Sequence, residues 1–288
     1  MSKVDLKNSD FVHLHNHTQY SLLDGLTKVP ALIQKIKKSG MEAVAITDHG
    51  TLSGAIEFYK EAKAENINPI IGIEAYIAPR SHEDKEAGKD KEYFHLIILA
   101  MNNKGYQNLM RLSTIANLKG FYYKPRIDRQ LLEQYNEGLI VLSGCFSGEL
   151  ASAITSGNMD NAKEIAKWYK NVFGDRYYIE IQDHGHQDHP SVWKDQTEVN
   201  HKAFEIAEEL NIKTVITGDA HYLNHEDQEA HEILLCVQTG SFLSDTNRMS
   251  LKDFHLHVAE PEELIERWGK DHPDSILNTK EIADRCNV

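Results

Sequence analysis

Residues 43–50 read AVAITDHG: a short apolar, β-branched run that closes on two polar side chains, Asp48 and His49. A run of that length, apolar at every position and followed by glycine, predicts a strand covered on both faces, as in a parallel sheet. Comparable runs recur at 11–15, 70–76, 94–100, 139–143, 177–182 and 214–217. Helical periodicity fills the intervals at 29–39, 53–65, 104–118, 128–135, 160–173 and 191–210. In the last of these Val192, Val199, Ala203, Ile206 and Leu210 share one stripe. Seven strands alternating with helices predict an α/β fold with a parallel sheet, and the count suits a closed barrel. An open, doubly wound sheet is the alternative.

The remainder departs from this rhythm. RSHEDKEAGKDKE (80–92) is a charged insertion between two strands and reads as an exposed loop. Beyond His221 the alternation stops, and 225–237, 261–268 and 275–286 read as helices. We therefore expect a barrel over about 10–240 and a helical extension over 241–288. The last helix has no clear stop signal before Val288, which suggests that a longer polypeptide follows.

Composition sets the class. Of 288 residues, 41% are apolar and 26% charged, which argues against disorder. No uncharged apolar run approaches the roughly 18 residues of a membrane span, and residues 1–10 lack the apolar centre of a signal peptide. Three cysteines without paired spacing (Cys145, Cys236, Cys286) fit a reducing compartment, so a cytoplasmic location is expected. A net charge of −13 disfavours a simple electrostatic grip on nucleic acid, yet the 16 histidines outnumber both Phe and Tyr.

Position gives the histidines meaning. The first strand ends in His15-Asn16-His17, the second in Asp48-His49, and the third at Glu74. The fourth opens with His95, the fifth ends near Cys145, and the seventh ends in Asp219-Ala220-His221. In β/α barrels the chemistry sits at the C-terminal rim of the strands, and these are the side chains that bind divalent metals such as zinc. In extended chain, residues i and i+2 share a face, so His15 with His17, and Asp219 with His221, can each bite one ion. Hydrogen-bonded histidines at a barrel mouth would account for one such strand end, but not for so many.

Other candidates are weaker. His82, His189, His201, His225, His231 and His272 read as solvated, and His255 and His257 as surface or packing residues. Cys236 reads as a buried small hydrophobe, and Cys286 carries no signal. His184 and His186 follow the sixth strand, near the rim, where His184 could bind substrate. Lys119, Lys124, Arg126 and Arg129 flank Phe121, Tyr122 and Tyr123. Such interleaving suits contact with a nucleic-acid backbone and stacking of unpaired bases; packing against another part of a larger chain is the alternative. From this segment Arg126 is the expected phosphate contact, with Lys124 and Tyr123 beside it.

FVHLHNHTQYSLLDG (11–25), AITDHGTLSGAIEFYKEA (45–62), PIIGIEAY (69–76), YFHLIILA (93–100), GFYYKPRID (120–128), LIVLSGC (139–145), YIEIQDHG (178–185) and TGDAHY (217–222) together resemble the PHP (polymerase and histidinol phosphatase) family. Within it they are most similar to the PHP domain of bacterial replicative DNA polymerase III alpha subunits. The resemblance implies a distorted seven-stranded (β/α)7 barrel with a trinuclear metal centre at the C-terminal rim. It implies nine ligands: His15, His17, Asp24, His49, Glu74, His95, Cys145, Asp219 and His221. By analogy His15, His17, Glu74 and Asp219 hold one ion, and Glu74 bridges to a second held by His95 and Cys145. Asp24, His49 and His221 hold the third, and Asp48 orients ligands. Three divalent ions are implied, Zn²⁺ first on the donor chemistry, with Mn²⁺ or Fe²⁺ as alternatives. The implied activity is a 3′–5′ proofreading exonuclease acting on a DNA 3′ end through these ions. The implied partners are the rest of a polymerase chain and replisome subunits. A small-molecule phosphatase of the histidinol-phosphate type, or a non-catalytic metal-stabilised scaffold, are the competing readings.

Overall fold

The computed structural model describes residues 5–185 and 194–288. Among the described residues there are eight strands: β1 (Ala43–Ile46), β2 (Asn68–Ile77), β3 (Phe94–Ala100), β4 (Phe121–Tyr122), β5 (Lys124–Ile127), β6 (Leu139–Leu142), β7 (Tyr177–Gln182) and β8 (Lys213–Thr217). The helices are α1 (Val29–Lys38), α2 (Ala55–Ala64), α3 (Asn103–Leu118), α4 (Arg129–Gln134), α5 (Glu149–Thr155), α6 (Met159–Phe173), α7 (Lys194–Leu210), α8 (Gln228–Thr239), α9 (Pro261–Trp268) and α10 (Pro273–Arg285).

Pairing runs β1–β2–β3–β6–β7–β8. The extended stretch 11–17 closes the curl between the two ends, although it is not a regular strand. On one side Ala45 N–H donates to the His13 carbonyl and Thr47 N–H to the Asn16 carbonyl. On the other side His17 N–H donates to the Ala220 carbonyl. Seven staves result, in a distorted barrel. The sheet is not wholly parallel, which corrects the sequence expectation: β3 runs antiparallel to both β2 and β6. No helix separates β2 from β3, and without a crossover the chain returns in the opposite sense. That reversal explains why the fourth strand opens, rather than closes, on a site residue.

Alternation along the staves builds both the core and the site. Inward positions pack together at the lower end as Val12, Leu14, Ala43, Ala45, Ile70, Ile97, Leu99, Ile140, Leu142, Tyr178 and Val215. Following the same faces upward at period two gives Ile70–Gly72–Glu74, Leu99–Ile97–His95, Tyr178–Glu180–Gln182 and Val215–Thr217–Asp219. Each row is apolar at the bottom and polar at the rim. Outward positions such as Val44, Ile46, Ile71, Ile98, Val141, Ile179 and Ile216 pack against the helices. Gly72 is required where β2 meets β3, because a Cβ there would lie 2.6 Å from Leu99 Cδ2 and 2.9 Å from the Ile98 carbonyl oxygen.

The 241–288 segment folds back onto the barrel. Ile282 and Ala283 of α10, with Cys286 just after it, join the lower interior cluster and plug its base. Asn68 Nδ2 donates to the Ala283 and Cys286 carbonyls, and Val12 N–H to Thr279 Oγ1. The insertion at 80–92 is not simply exposed either: Asp90 is fully buried and pairs with Arg80 at 2.6 Å. Among the described residues, α5 and the β4–β5 hairpin are elements the periodicity did not announce. Among the described residues, no helix is long and apolar enough to cross a membrane.

Candidate metal centre

The rim residues are set by backbone anchoring on both sides of 15–17. Thr18 pairs with Thr27 across a tight loop. Gly25 lies so close beneath the Thr18 carbonyl that a Cβ would sit 2.1 Å from the oxygen. This loop delivers Asp24. At the opposite end of the site Asp219 holds φ +47, an uncommon left-handed conformation that Asp tolerates better than bulkier residues and that is typical of strained functional positions.

The nine residues converge. His15 Nε2 and His17 Nε2 each lie 3.1 Å from Asp219 Oδ1, and 3.5 and 3.3 Å from the Glu74 carboxylate. Glu74 Oε1 is 2.9 Å from His95 Nδ1, and Cys145 Sγ is 3.4 Å from that same nitrogen. His49 lies between two carboxylates, with Nε2 2.6 Å from Asp24 Oδ2 and Nδ1 2.6 Å from Glu74 Oε2. His221 Nε2 is 3.5 Å from Asp24 Oδ2. Donor atoms within 4.8 Å of one another form three groups: His15, His17 and Asp219; His49, Glu74 and His95; and His17, His49 and His221. His49 thus faces the Glu74 group as well as the Asp24 group assigned to it by analogy.

The donors fit divalent ions. His49 Nδ1, Glu74 Oε2 and Asp219 Oδ1 are buried and make no hydrogen bond, although charged neighbours crowd them. Buried polar atoms are otherwise almost always paired, so three such atoms without a hydrogen bond in one cluster of imidazoles and carboxylates suit ligands of a divalent ion. The other ring nitrogens are tied down, as metal-binding imidazoles require. His15 Nδ1–H donates to Glu180 Oε1 at 2.7 Å, His17 Nδ1–H to Ser21 Oγ at 2.9 Å, and His221 Nδ1–H to the Asp219 carbonyl at 2.7 Å. Each leaves Nε2 for the centre.

Charge is concentrated here. Burial would push the Glu74 carboxyl up, but the facing imidazoles of His95, His49 and His15 hold it well below its usual range. Burial likewise opposes protonation of His15, and Asp219, Glu180 and Glu74 override it, lifting His15 well above 6.5. His49 is raised to about 10 by Glu74 and Asp24 against its own burial. Burial, with His49 and His221 alongside, lowers His17 to about 3. Burial, then Glu74 and Asp219, push the Cys145 thiol up. Divalent ions would displace these protons and leave Cys145 as a thiolate.

Asp48 is no donor to the cluster. It accepts from Thr18 N–H at 2.6 Å and from Ser21 Oγ at 2.9 Å, so Asp48 and Ser21 together aim His17. Sequence reasoning missed Glu180, Ser21 and His231. Glu180, held also by Thr217 Oγ1 at 2.5 Å, was signalled by a lone acid at an inward position of an apolar strand. His231 of α8 is buried rather than solvated, with Nε2 3.9 Å from Asp24 Oδ1. No sequence spacing links it to Asp24.

The expected substrate contacts divide. Arg126 does not reach the surface: it is fully buried and donates to the carbonyls of Gly120, Asp90, His82 and Asp84 at 2.7–3.2 Å. The insertion at 80–92 wraps it, so it cannot be a phosphate contact. His82 is buried too, with Nδ1 2.5 Å from Asp128 Oδ2. Lys124 Nζ lies 5.3 Å from the Tyr76 ring centroid, and Tyr76 lies beside His49 and His95. Tyr123 is exposed at the hairpin tip. His184 is buried and bonded to Gln182 Oε1 at 3.0 Å. His186 and His189 lie outside the described residues. A cleft of about 350 Å³ opens beside Cys145, Asp219 and His221.

Comparison with known proteins bears on this site. The chain is 44% identical over 280 residues to the DNA polymerase III subunit alpha of Borreliella burgdorferi, covering 97% of this chain and 24% of that protein. It is 44% identical over 287 residues to the subunit of the same name from Thermus aquaticus, covering 96% and 23%. The chain thus spans about a quarter of the length of these relatives. A solved two-domain protein from Bacteroides vulgatus, described as containing a predicted PHP-like metal-dependent phosphoesterase, matches at TM-score 0.37 and 13% identity over 73% of this chain and 52% of that one. Residues 13–184 match the PHP domain model, and they contain seven of the nine converging side chains. The chain belongs to the PHP domain family, and its homology to DNA polymerase III alpha subunits runs over nearly its whole length.

Proposed function

We propose that this domain is a metal-dependent phosphoesterase that shortens DNA from the 3′ end, acting as a proofreading exonuclease within a cytoplasmic replicative polymerase chain. The carrying observation is the convergence of nine donor side chains, with His49 Nδ1, Glu74 Oε2 and Asp219 Oδ1 buried and unbonded among them. His15, His17, Asp24, His49, Glu74, His95, Cys145, Asp219 and His221 would hold three ions. The thiolate and imidazoles favour zinc, with manganese or iron as alternatives. Bound ions of this kind supply a hydroxide at neutral pH and neutralise charge developing on the phosphoryl and leaving oxygens.

The chain's own residues prepare that chemistry. Glu180 and Ser21 fix the tautomers of His15 and His17, and the Tyr76 and Tyr93 rings pack against His95. The acidic surface is no obstacle, because three divalent ions place six positive charges where the scissile phosphate lies. Lys124 adds one at the rim. The polymerase chain and its replisome partners would supply most of the grip on DNA.

The test uses purified, metal-analysed protein and a 5′-labelled primer with a mismatched 3′ end. Stepwise shortening is expected with zinc or manganese, and loss of it in chelator and in His49→Ala. Shortening that survives both changes would sink the proposal. Hydrolysis of phosphate monoesters without any attack on DNA would favour a small-molecule phosphatase instead.

A further inference from the structure

The cleft beside the metal centre has a composition of its own. One wall is Cys145, Asp219 and His221, so a phosphoryl group at the centre would deliver whatever is bonded to it into this space. The lining also includes Phe146, Leu251, Phe254 and Leu256. Among the described lining residues there is no lysine or arginine, and Asp195 adds a negative charge. Away from the metal centre the described lining offers no fixed cation to hold an anion, whereas an uncharged flat group would be accommodated. The volume, about 350 Å³, is at the low end of the roughly 300–1,000 Å³ of ligand pockets, enough for a single nucleoside. Phe146 directly follows Cys145 and is 40% exposed, so an aromatic face stands next to the reacting centre.

We infer that this cleft receives the 3′-terminal nucleoside, with its base against Phe146 and Phe254, while the phosphate stays at the metal centre. The inference rests on the nuclease reading above and adds a subsite to it. Stacking on an aromatic ring is tolerant of sequence, because every base has a π-face. That tolerance is what an enzyme needs if it must remove whichever nucleotide is mispaired. It also assigns the exposed Tyr123 and the half-buried Lys124 to strand further from the terminus.

Two measurements test it on the zinc-loaded protein. The first irradiates an oligonucleotide whose 3′-terminal residue is 4-thiothymidine on a phosphorothioate linkage, and maps the adduct by mass spectrometry. Adducts on peptides containing Phe146 or Phe254 are expected; adducts confined to the 121–124 hairpin would overturn the assignment. The second compares thymidine 5′-(p-nitrophenyl phosphate) with methyl p-nitrophenyl phosphate, a diester with the same leaving group in which a methyl group replaces the nucleoside. Phe146→Ala should raise KM for the nucleoside ester roughly tenfold, in line with one lost stacking contact, and leave turnover of the plain diester unchanged. Phe254→Leu should act in the same direction. Equal loss on both esters, or on neither, refutes the site. If the protein attacks no nucleic acid yet the adduct maps to the cleft, the nuclease reading falls and the nucleoside site stands.

Discussion

Arg126 separates two roles that the sequence alone could not. Replacing it with Met keeps much of the volume and removes all the donors. Four carbonyls, at Gly120, His82, Asp84 and Asp90, lose their partner, as does the cation over the Tyr122 ring at 5.4 Å. Bonds from a charged donor contribute about 1.5–3 kcal/mol each. The full sum is not expected, since the 82–90 carbonyls can turn to water once the insertion lifts off. Loss of one partner from a buried charged network costs about 3–5 kcal/mol, and we expect a value in that range. For a chain of this size it lowers Tm by roughly 6–20 °C. In urea the midpoint should fall at unchanged slope. Single-strand binding, measured well below the new Tm, should keep its salt dependence. A phosphate contact would behave oppositely, with Tm unchanged and the slope of log K against log salt reduced by about 0.7. That result for Arg126→Met would refute the buried-anchor account. Lys124→Ala is expected to give that opposite pattern.

Three further outcomes follow from particular contacts. His13 donates from Nε2 to the Ala259 carbonyl at 2.9 Å while its Nδ1 is buried and unbonded, and burial lowers its pKa to about 4. The unfolded chain therefore binds the extra proton first. Stability should fall as pH drops from about 6.5 to 4, by up to roughly 3 kcal/mol, and denaturation series should show a shallower fall in His13→Gln. Glu180→Gln should weaken zinc binding by about 10- to 100-fold, read by competition with a chromophoric chelator, and unchanged affinity would remove Glu180 from the support of His15. Ala283→Asp would bury a carboxylate under the barrel, where Ala283 is 1% exposed. A loss of at least about 3 kcal/mol is expected, and a neutral result would mean that α10 is not the plug.

Strand positions and the paired rim residues were legible because both are local patterns, whereas the full set of nine candidate ligands came from resemblance to the PHP family. A buried strand announces itself by a short apolar run, and His15-x-His17 or Asp219-x-His221 by period two. The His-x-His signal says nothing about what lies opposite, and that is where sequence reading stopped. Arg126 sits among aromatics and looks like a nucleic-acid contact. Only the fold brings the carbonyls of a charged insertion around it, and a backbone carbonyl leaves no trace in residue identity. His231 failed for the same reason: polar sequence neighbours suggested solvent, but α8 turns that face toward Asp24.

The sequence by itself determined the number of staves, the class of fold and the chemistry of the donors, since these depend on hydrophobic period and residue type. The reversed direction of β3, the closure of the ring through 11–17, the plug formed by α10 and the supports behind each imidazole were decided only in three dimensions. Those features arise from hydrogen bonds and packing between segments up to about 270 residues apart, as with Val12 and Thr279. Separation along the chain carries no information about such contacts until the core has brought the segments together.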